Sequence, residues 1–297
     1  MTEGSSFFSV PGVDYECTTA YKIVGDIKSA TPLIFLHGGP GAGYDDHFCI
    51  AQPLNESGIP TVWFDQLGCG DSSRLSEKAE DESFWTFDVF CTQLDRLIDA
   101  LDLRAGFSLL GHSWGGIVAS IYAARRPRGL KKLIIANSYG GGPESHEELL
   151  RLFKALPVDD EIMEVEASGN CDDHPAYQEA AKKFYNKHFC TLDPWPKVLL
   201  QGKWEHATQI WPKQSSTIRK PPLMRNWSAR DTAGNINVPT LLISGRFDNN
   251  NDVIMGPWFQ TIPRVKWVKM AQSAHFPALE ESERYVSVLS MFLNTEM

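Results

Sequence analysis

Short apolar runs that end in glycine or polar turns alternate along the chain with stretches of helical periodicity. Apolar residues fill nearly every position of these runs, as expected for strands whose two faces are both covered. The runs are 33–36 (LIFL), 61–65 (TVWFD), 107–110 (FSLL) and 132–136 (KLIIA). From Phe87 to Leu101 the apolar positions instead fall on one helical face. This alternation predicts an α/β fold built on a mostly parallel sheet.

The pattern changes near Gly140, where a glycine and proline cluster interrupts it. Residues 140–232 are polar, lean towards helix and contain four tryptophans. Strand patterns return at 239–244 (PTLLIS) and 265–270 (VKWVKM), followed by a closing amphipathic helix. We therefore expect a core domain formed by residues 1–139 and 233–297, with residues 140–232 forming a helical cap.

Composition and charge exclude several classes of protein. The 297 residues carry a net charge of -9, which argues against nucleic acid or an anionic membrane surface as a partner. No apolar run approaches the ~18–20 residues of a membrane span, and the N-terminus has no basic or apolar segment typical of a secretory signal. The six cysteines are scattered and indicate free thiols rather than a disulfide framework. We expect a cytoplasmic location.

The sequence Gly111-His112-Ser113-Trp114-Gly115-Gly116 lies between a strand pattern and a helical one. A serine becomes an effective nucleophile when a sharp strand-to-helix turn exposes it beside a base, and glycines two residues to either side let the strand and helix approach closely. The helix N-terminus also offers N–H donors to a developing oxyanion. Ser113 is therefore the candidate nucleophile, whereas an ordinary glycine turn with a buried serine is the alternative.

A second glycine-rich loop, His37-Gly38-Gly39-Pro40-Gly41, follows the strand LIFL. Glycine suits a backbone that must face a substrate without an intervening side chain. We assign the two oxyanion donors to the backbone N–H groups of Gly39 and Trp114. A simple strand-to-helix turn is the alternative interpretation of this loop.

The acid and base should follow the serine in the order Ser…Asp/Glu…His, each after a late strand. Asp248 follows PTLLIS, and His275 follows VKWVKM, where it is the one histidine beyond the last strand. Asp252 is the rival for the acid, but Asp248 lies nearer the strand end. The run 248–252 (DNNND) is not an EF-hand loop, because Val253 and Phe259 stand where glycine and glutamate are required.

Taken together, HGGPG, FDQLGCGDSS (Phe64–Ser73), GHSWGG and the GRFD…SAH ending resemble the proline iminopeptidase family of α/β-hydrolases, which also contains L-amino acid amidases. The resemblance covers roughly residues 18–139 and 233–297. It implies an α/β-hydrolase fold with a mostly parallel eight-stranded sheet and a helical cap after strand six. It also implies an intracellular serine peptidase or amidase with the triad Ser113, Asp248 and His275, and with no cofactor or metal.

The family's cap carries glutamates that bind the substrate's free α-amino group, one of them in a Trp-Glu pair. The resemblance places that pair at Trp204-Glu205, although a solvated surface glutamate is the alternative for Glu205. Leu67 and Asp71 replace both arginines of the family's DQRGxGRS motif, and the acid loop lacks the usual threonine–proline step. Preference for proline is therefore left open.

The expected function is acyl transfer by a serine hydrolase, as an aminopeptidase or an L-amino acid amidase acting on a small molecule or short peptide. An esterase or lactonase would use the same residues, and a lyase or isomerase could use His275 as a proton shuttle. A ligand-binding pseudoenzyme is the non-catalytic alternative. Serine at position 113 disfavours dehalogenase and epoxide hydrolase chemistry, which needs a carboxylate nucleophile there. The oligomeric state is not indicated by the sequence.

Overall fold

An eight-stranded sheet forms the centre of the computed structural model, which describes residues 1–79, 81–157, 160–168, 171, 174–200 and 222–295. The strands are β1 (Thr2–Phe8), β2 (Cys17–Val24), β3 (Leu33–Leu36), β4 (Thr61–Phe64), β5 (Phe107–His112), β6 (Leu130–Ala136), β7 (Thr240–Gly245) and β8 (Val265–Met270). Their order in the sheet is β1-β2-β4-β3-β5-β6-β7-β8. The β1–β2 and β2–β4 pairs are antiparallel and all others are parallel. The predicted fold class is confirmed.

Helices cover both faces of the sheet and fill the connection between β6 and β7. The α-helices are α1 (Ala51–Glu56), α2 (Phe87–Ala100), α3 (Trp114–Ala124), α4 (Pro143–Lys154), α5 (Asp160–Ser168), α6 (Pro175–His188), α7 (Lys197–Leu200), α8 (Pro222–Arg225), α9 (Asp252–Thr261), α10 (Pro277–Glu280) and α11 (Ser282–Asn294). Short 3₁₀ helices span Phe48–Ile50, Ser76–Lys78, Ala229–Asp231 and Ala233–Asn235. Helices α4–α8 follow β6, where a helical cap is predicted; the domain boundaries themselves stay a prediction.

Two hydrophobic clusters, one on each face of the sheet, form the core. Successive residues of β3 point into different clusters: Leu33 and Phe35 join one that contains residues of α1 and α11, whereas Ile34 and Leu36 join one that contains residues of α2 and α3. Because both faces are covered, an uninterrupted apolar run is the expected pattern for such a strand. No helix in the described part of the chain is long and apolar enough to cross a membrane.

All six cysteines are free, as predicted, and five of them are buried. The exception is Cys49, which is exposed in the 3₁₀ helix before α1. No disulfide therefore contributes to the stability of this fold, which depends on the packing of the two core clusters.

The carboxyl ends of four parallel strands carry the motif loops. His37 follows β3, Ser113 follows β5, Asp248 lies three residues after β7, and His275 lies five residues after β8. Parallel strands end at the same edge of a sheet, so the fold brings these loops together. The loops at this edge therefore form the candidate functional site.

Candidate active site

Ser113 occupies a strained turn between β5 and α3. Its backbone φ of 52° and ψ of -119° lie in a region that residues with side chains rarely adopt. The backbone N–H of Ser113 donates to Ala136 O at 2.9 Å, which holds the turn against the end of β6. A Cβ on Gly111 would lie 2.2 Å from Gly115 O, so glycine is required for β5 and α3 to come this close. The side chain of Ser113 is half-buried at the sheet edge.

The His37–Gly41 loop lies directly beside this turn. A Cβ on Gly38 would lie 3.2 Å from Ser113 Cβ, and one on Gly115 would lie 2.1 Å from Leu36 O. Gly39 has a φ of 111°, and a Cβ there would lie 2.5 Å from Gly41 N. The glycines therefore let the backbone of one loop approach the other, which is the arrangement that a pair of backbone oxyanion donors requires.

A buried glutamine ties the two loops together. Gln66 Nε2 donates to His37 O at 2.8 Å, and Trp114 Nε1 donates to Gln66 Oε1 at 2.9 Å. The backbone N–H of Gln66 also donates to His37 Nε2 at 2.9 Å, while His37 Nδ1 donates to Gly38 O. His37 thus supports its loop through hydrogen bonds. The contribution of Gln66 is a finding of the structure.

Asp248 and His275 form a buried hydrogen-bonded pair. His275 Nδ1 and Asp248 Oδ1 are 2.8 Å apart, with 5% and 0% of their side chains exposed. The same Asp248 oxygen accepts from Asn250 N at 2.9 Å. The rival acid, Asp252, instead forms an exposed ion pair with Lys269. The contacts therefore favour Asp248, and with Nδ1 donating to the carboxylate, Nε2 of His275 carries the lone pair.

Asn137 holds the other oxygen of Asp248, a contact that no sequence motif predicts. Its Nδ2 donates to Asp248 Oδ2 at 2.7 Å and to Ala274 O at 3.1 Å, and Asn250 Nδ2 donates to Asn137 O at 2.8 Å. Asn137 is fully buried and has a φ of 52°, a left-handed conformation that asparagine tolerates well. One amide therefore bridges the ends of β6 and β7 and the loop after β8.

His112 connects the serine turn to the loop that carries His275. A carbonyl oxygen can only accept, so His112 Nε2 donates to His275 O, at 2.8 Å. The two imidazole rings lie 4.7 Å apart between centroids. Burial, reinforced by His47 and His275 nearby, lowers the pKa of His112 well below its ordinary value. The ring is therefore neutral and serves as a fixed donor next to Ser113.

Comparison with known proteins agrees with this geometry. The family described as alpha/beta hydrolase fold matches residues 31–282. The chain belongs to the α/β-hydrolase family. It is 31% identical to a proline iminopeptidase of Lactobacillus delbrueckii subsp. lactis, over 93% of this chain and 94% of that protein. The resemblance to the proline iminopeptidase family is confirmed, and hydrolase activity follows from it.

Solved structures of similar chains show the same architecture. The crystal structure of VinJ superposes with a TM-score of 0.87 at 32% identity, covering 98% of both chains. A proline iminopeptidase from Mycobacterium smegmatis superposes with a TM-score of 0.83 at 29% identity, covering 98% of this chain and 97% of the other. The similarity thus extends beyond the sheet to nearly the full length of the hydrolase.

Two buried groups of side chains in this hydrolase have the composition of metal ligands: His37, Asp65 and Cys69, and Asp46, His47 and His112. In the first group both ring nitrogens of His37 are engaged by backbone groups. In the second, His47 Nδ1 pairs with Asp46 at 2.8 Å, while His47 Nε2 and His112 Nδ1 have no protein partner. With His47 Nδ1 and His112 Nε2 protonated, both of these nitrogens are acceptors, and two donor hydrogens, one for each ring, would satisfy them.

Two of the four tryptophans between β6 and β7 pack against neighbouring aromatic rings. Trp227 lies 5.3 Å from Trp258 and 6.2 Å from Phe87, measured between ring centroids. Trp195 lies 5.9 Å from Phe189 and donates its Nε1 to Cys190 O. Trp227 also lines a cavity of about 1100 Å³ next to α4 and α5. The Trp204-Glu205 pair and Trp211 lie outside the described residues.

Proposed function

We propose that this hydrolase acts through a Ser-His-Asp triad, with Ser113 as nucleophile, His275 as general base and Asp248 as the residue that orients the imidazole. The backbone N–H groups of Gly39 and Trp114 form the oxyanion hole. The observation that carries the proposal is the 2.8 Å contact between His275 Nδ1 and Asp248 Oδ1 at the same sheet edge as the strained Ser113. A buried carboxylate beside Nδ1 selects the tautomer whose Nε2 accepts a proton.

The reaction follows from these positions as two acyl transfers. Ser113 Oγ forms a bond to the carbonyl carbon while His275 Nε2 takes the hydroxyl proton. In this proposal the oxyanion that develops accepts hydrogen bonds from the backbone N–H groups of Gly39 and Trp114, because donors fixed in the backbone need little reorganisation during the reaction. When the bond from carbon to the leaving group breaks, His275 returns its proton to that group. Water then attacks the acyl-enzyme by the same route and frees Ser113.

We infer further that the preferred substrates carry a free α-amino group and release an N-terminal residue, as an aminopeptidase or L-amino acid amidase. The relatives named proline iminopeptidase support this inference over most of the chain. This inference does not require the N-terminal residue of the substrate to be proline. Leu67 is fully buried with its backbone N–H bound to Gln93, and Asp71 is exposed, so neither position carries the positive charge of the arginines in the family motif.

Matched chromogenic substrates test this proposal. The panel contains prolyl, alanyl and phenylalanyl arylamides with free amines, their N-blocked counterparts, and p-nitrophenyl esters, with Ser113→Ala as control. We expect kcat/KM for free-amine arylamides to exceed that of the blocked ones by roughly 10- to 150-fold, the effect of losing a charged hydrogen bond worth about 1.5–3 kcal/mol between the amine and a carboxylate, for which Glu205 is the candidate.

The triad and the aminopeptidase specificity, the two parts of the proposal, are contradicted by different results. Hydrolysis of esters alone, abolished in Ser113→Ala, would support the triad but remove the aminopeptidase assignment in favour of an esterase or lactonase. Hydrolysis that persists in Ser113→Ala would contradict the triad itself.

A further inference from the structure

Residues 188–191, which we name the 188–191 turn, connect the end of α6 to the segment before α7. This turn belongs to the helices inserted between β6 and β7, yet it reaches the loops of both Asp248 and His275. His188 is buried with 6% of its surface exposed, and Cys190 is fully buried. The turn therefore joins the inserted helices to the loops at the carboxyl edge of the sheet.

The first contacts are with the backbone on either side of Asp248. His188 Nδ1 donates to Phe247 O at 2.7 Å, and Asn249 N donates to His188 O at 3.1 Å. Burial lowers the pKa of His188, and the nearby Lys187 acts in the same direction. The neutral ring has a single N–H, which is committed to Phe247 O. The two hydrogen bonds bracket Asp248 and restrict the rotation of its backbone.

The second contacts are with His275 itself. His275 N donates to Phe189 O at 3.0 Å, so the backbones of the two segments are joined directly. The Phe189 ring stacks on the imidazole with a centroid distance of 5.1 Å and an interplanar angle of 18°. It also meets the ring of Phe276 edge-on at 4.8 Å. Phe189 therefore covers one face of the imidazole and limits rotation about its side-chain bonds.

The half-buried carboxylate of Glu280 extends these contacts to the residues that flank His275. Glu280 accepts from Ala274 N at 3.0 Å and from Phe276 N at 3.0 Å. The other end of this network is Thr191, whose N and Oγ1 donate to the same carboxylate at 2.9 and 2.7 Å. The backbone before and after His275 is thus tied to the 188–191 turn through one side chain.

We propose that the 188–191 turn is a positioning element for the Asp248–His275 pair, with Phe189 setting the plane of the imidazole and His188 holding the loop of Asp248. The inference rests on the proposed function, because it assigns a role towards the proposed general base. We assign none of residues 188–191 a contact with the substrate or the reacting atoms. Any displacement of α6 by a bound substrate would be transmitted to the pair through these contacts.

Substitutions of Phe189 test the stacking. Phe189→Leu removes the ring but keeps an apolar side chain, whereas Phe189→Tyr keeps the ring. The matched control is Phe153→Leu, which removes a buried ring from α4 that contacts Tyr177 and Phe184. Phe184 in turn lies 4.9 Å from the ring of His188, so the control leaves the Phe189 ring in place and is one ring removed from the turn. We expect Phe189→Leu to lower kcat about tenfold with KM changed less than about threefold, the scale of one lost aromatic contact. Phe189→Tyr should stay within about twofold of the wild type on the same scale.

Proton NMR gives a readout that does not depend on turnover. The hydrogen-bonded Nδ1 proton of His275 should give a low-field resonance that Asp248→Asn removes. We expect this resonance to be broadened or shifted in Phe189→Leu and retained in Phe189→Tyr and Phe153→Leu. A second pair, His188→Asn and His188→Leu, tests the bond to Phe247, because the asparagine amide can donate from a position like that of Nδ1.

The outcomes separate the inference from the proposed function. If kcat and the resonance are unchanged in both Phe189→Leu and His188→Leu, the turn has no positioning role. A fall in kcat/KM of Phe189→Leu that comes from KM alone, with the resonance intact, would make Phe189 a wall of the substrate pocket and would also overturn the inference. Failure of the wild type to hydrolyse any substrate would count against the proposed function, and the resonance would then decide the inference alone.

Discussion

Replacing Asn137 with glycine is the most informative perturbation of the site, because it removes one side chain without straining the backbone. The φ of 52° suits glycine, and the substitution deletes the amide that donates to Asp248 Oδ2 at 2.7 Å. A hydrogen bond to a charged group is worth about 1.5–3 kcal/mol. Lost entirely from the transition state, that energy corresponds to a rate reduction of roughly 10- to 150-fold.

The assay is the rate at which a fluorophosphonate probe modifies the protein, which measures the activated serine without knowledge of the natural substrate. Asn137→Ala is the control: it loses the same amide but also places an alanine in the left-handed region, at a cost of about 1–2 kcal/mol. We expect both variants to react equally slowly and Asn137→Ala to be the less stable. A folded Asn137→Gly protein that reacts at the wild-type rate would refute the role assigned to Asn137.

Three further predictions concern stability. The pKa of His112 is lowered in the folded state, so below about pH 6.5 the unfolded chain binds a proton that the folded protein does not. The free energy of unfolding of the wild type, measured by denaturant titration, should therefore fall by about 1.4 kcal/mol between pH 7.5 and pH 5.5. His112→Gln should not show this part of the decrease. Gly115→Ala places a Cβ 2.1 Å from Leu36 O and should destabilise the fold by about 1–3 kcal/mol. Gly256→Ala should not, because the nearest atom to its Cβ is Gln260 Nε2 at an ordinary contact distance of 3.8 Å. The pKa of Glu148 is lowered chiefly by the hydrogen bond from Arg151. The ionised Glu148 therefore stabilises the folded state above pH 4.5, and this contribution disappears as the pH falls through the folded-state pKa. Glu148→Gln should therefore lose about 1 kcal/mol at pH 7 and nothing in acid; a pH-independent difference would contradict this.

The sequence was most informative where one physical requirement dominates. The central strands lie between covered faces and are apolar at each position, so 33–36 coincides with β3. The run 265–270, in which two lysines interrupt the apolar residues, coincides with β8 at the edge of the sheet. β1 did not stand out, because it lies at the sheet edge and most of its residues are exposed. Helix α3 begins at Trp114 and so includes Gly115 and Gly116, which look like a loop in the sequence but are required for close packing.

The supporting residues of the site were harder to predict, because they depend on which strands are neighbours. β6 lies between β5 and β7, so the residue after it, Asn137, reaches Asp248. Its position directly after a buried strand at the carboxyl edge is the signal that could have identified it. Gln66 has a similar signal, following Asp65 at the end of β4. The contacts of the 188–191 turn cross between segments far apart in sequence and have no local pattern.

Covalent labelling of Ser113 tests the central claim most directly. In this reaction the Ser113 oxygen forms a bond to phosphorus and fluoride departs, so intact mass and peptide mapping report the site and the stoichiometry. We expect one adduct per chain on the peptide that contains Ser113, none in Ser113→Ala, and strongly slowed labelling in His275→Ala. A folded wild-type protein that stays unlabelled, or a Ser113→Ala protein that is labelled equally well, would contradict the assignment of Ser113 as the nucleophile.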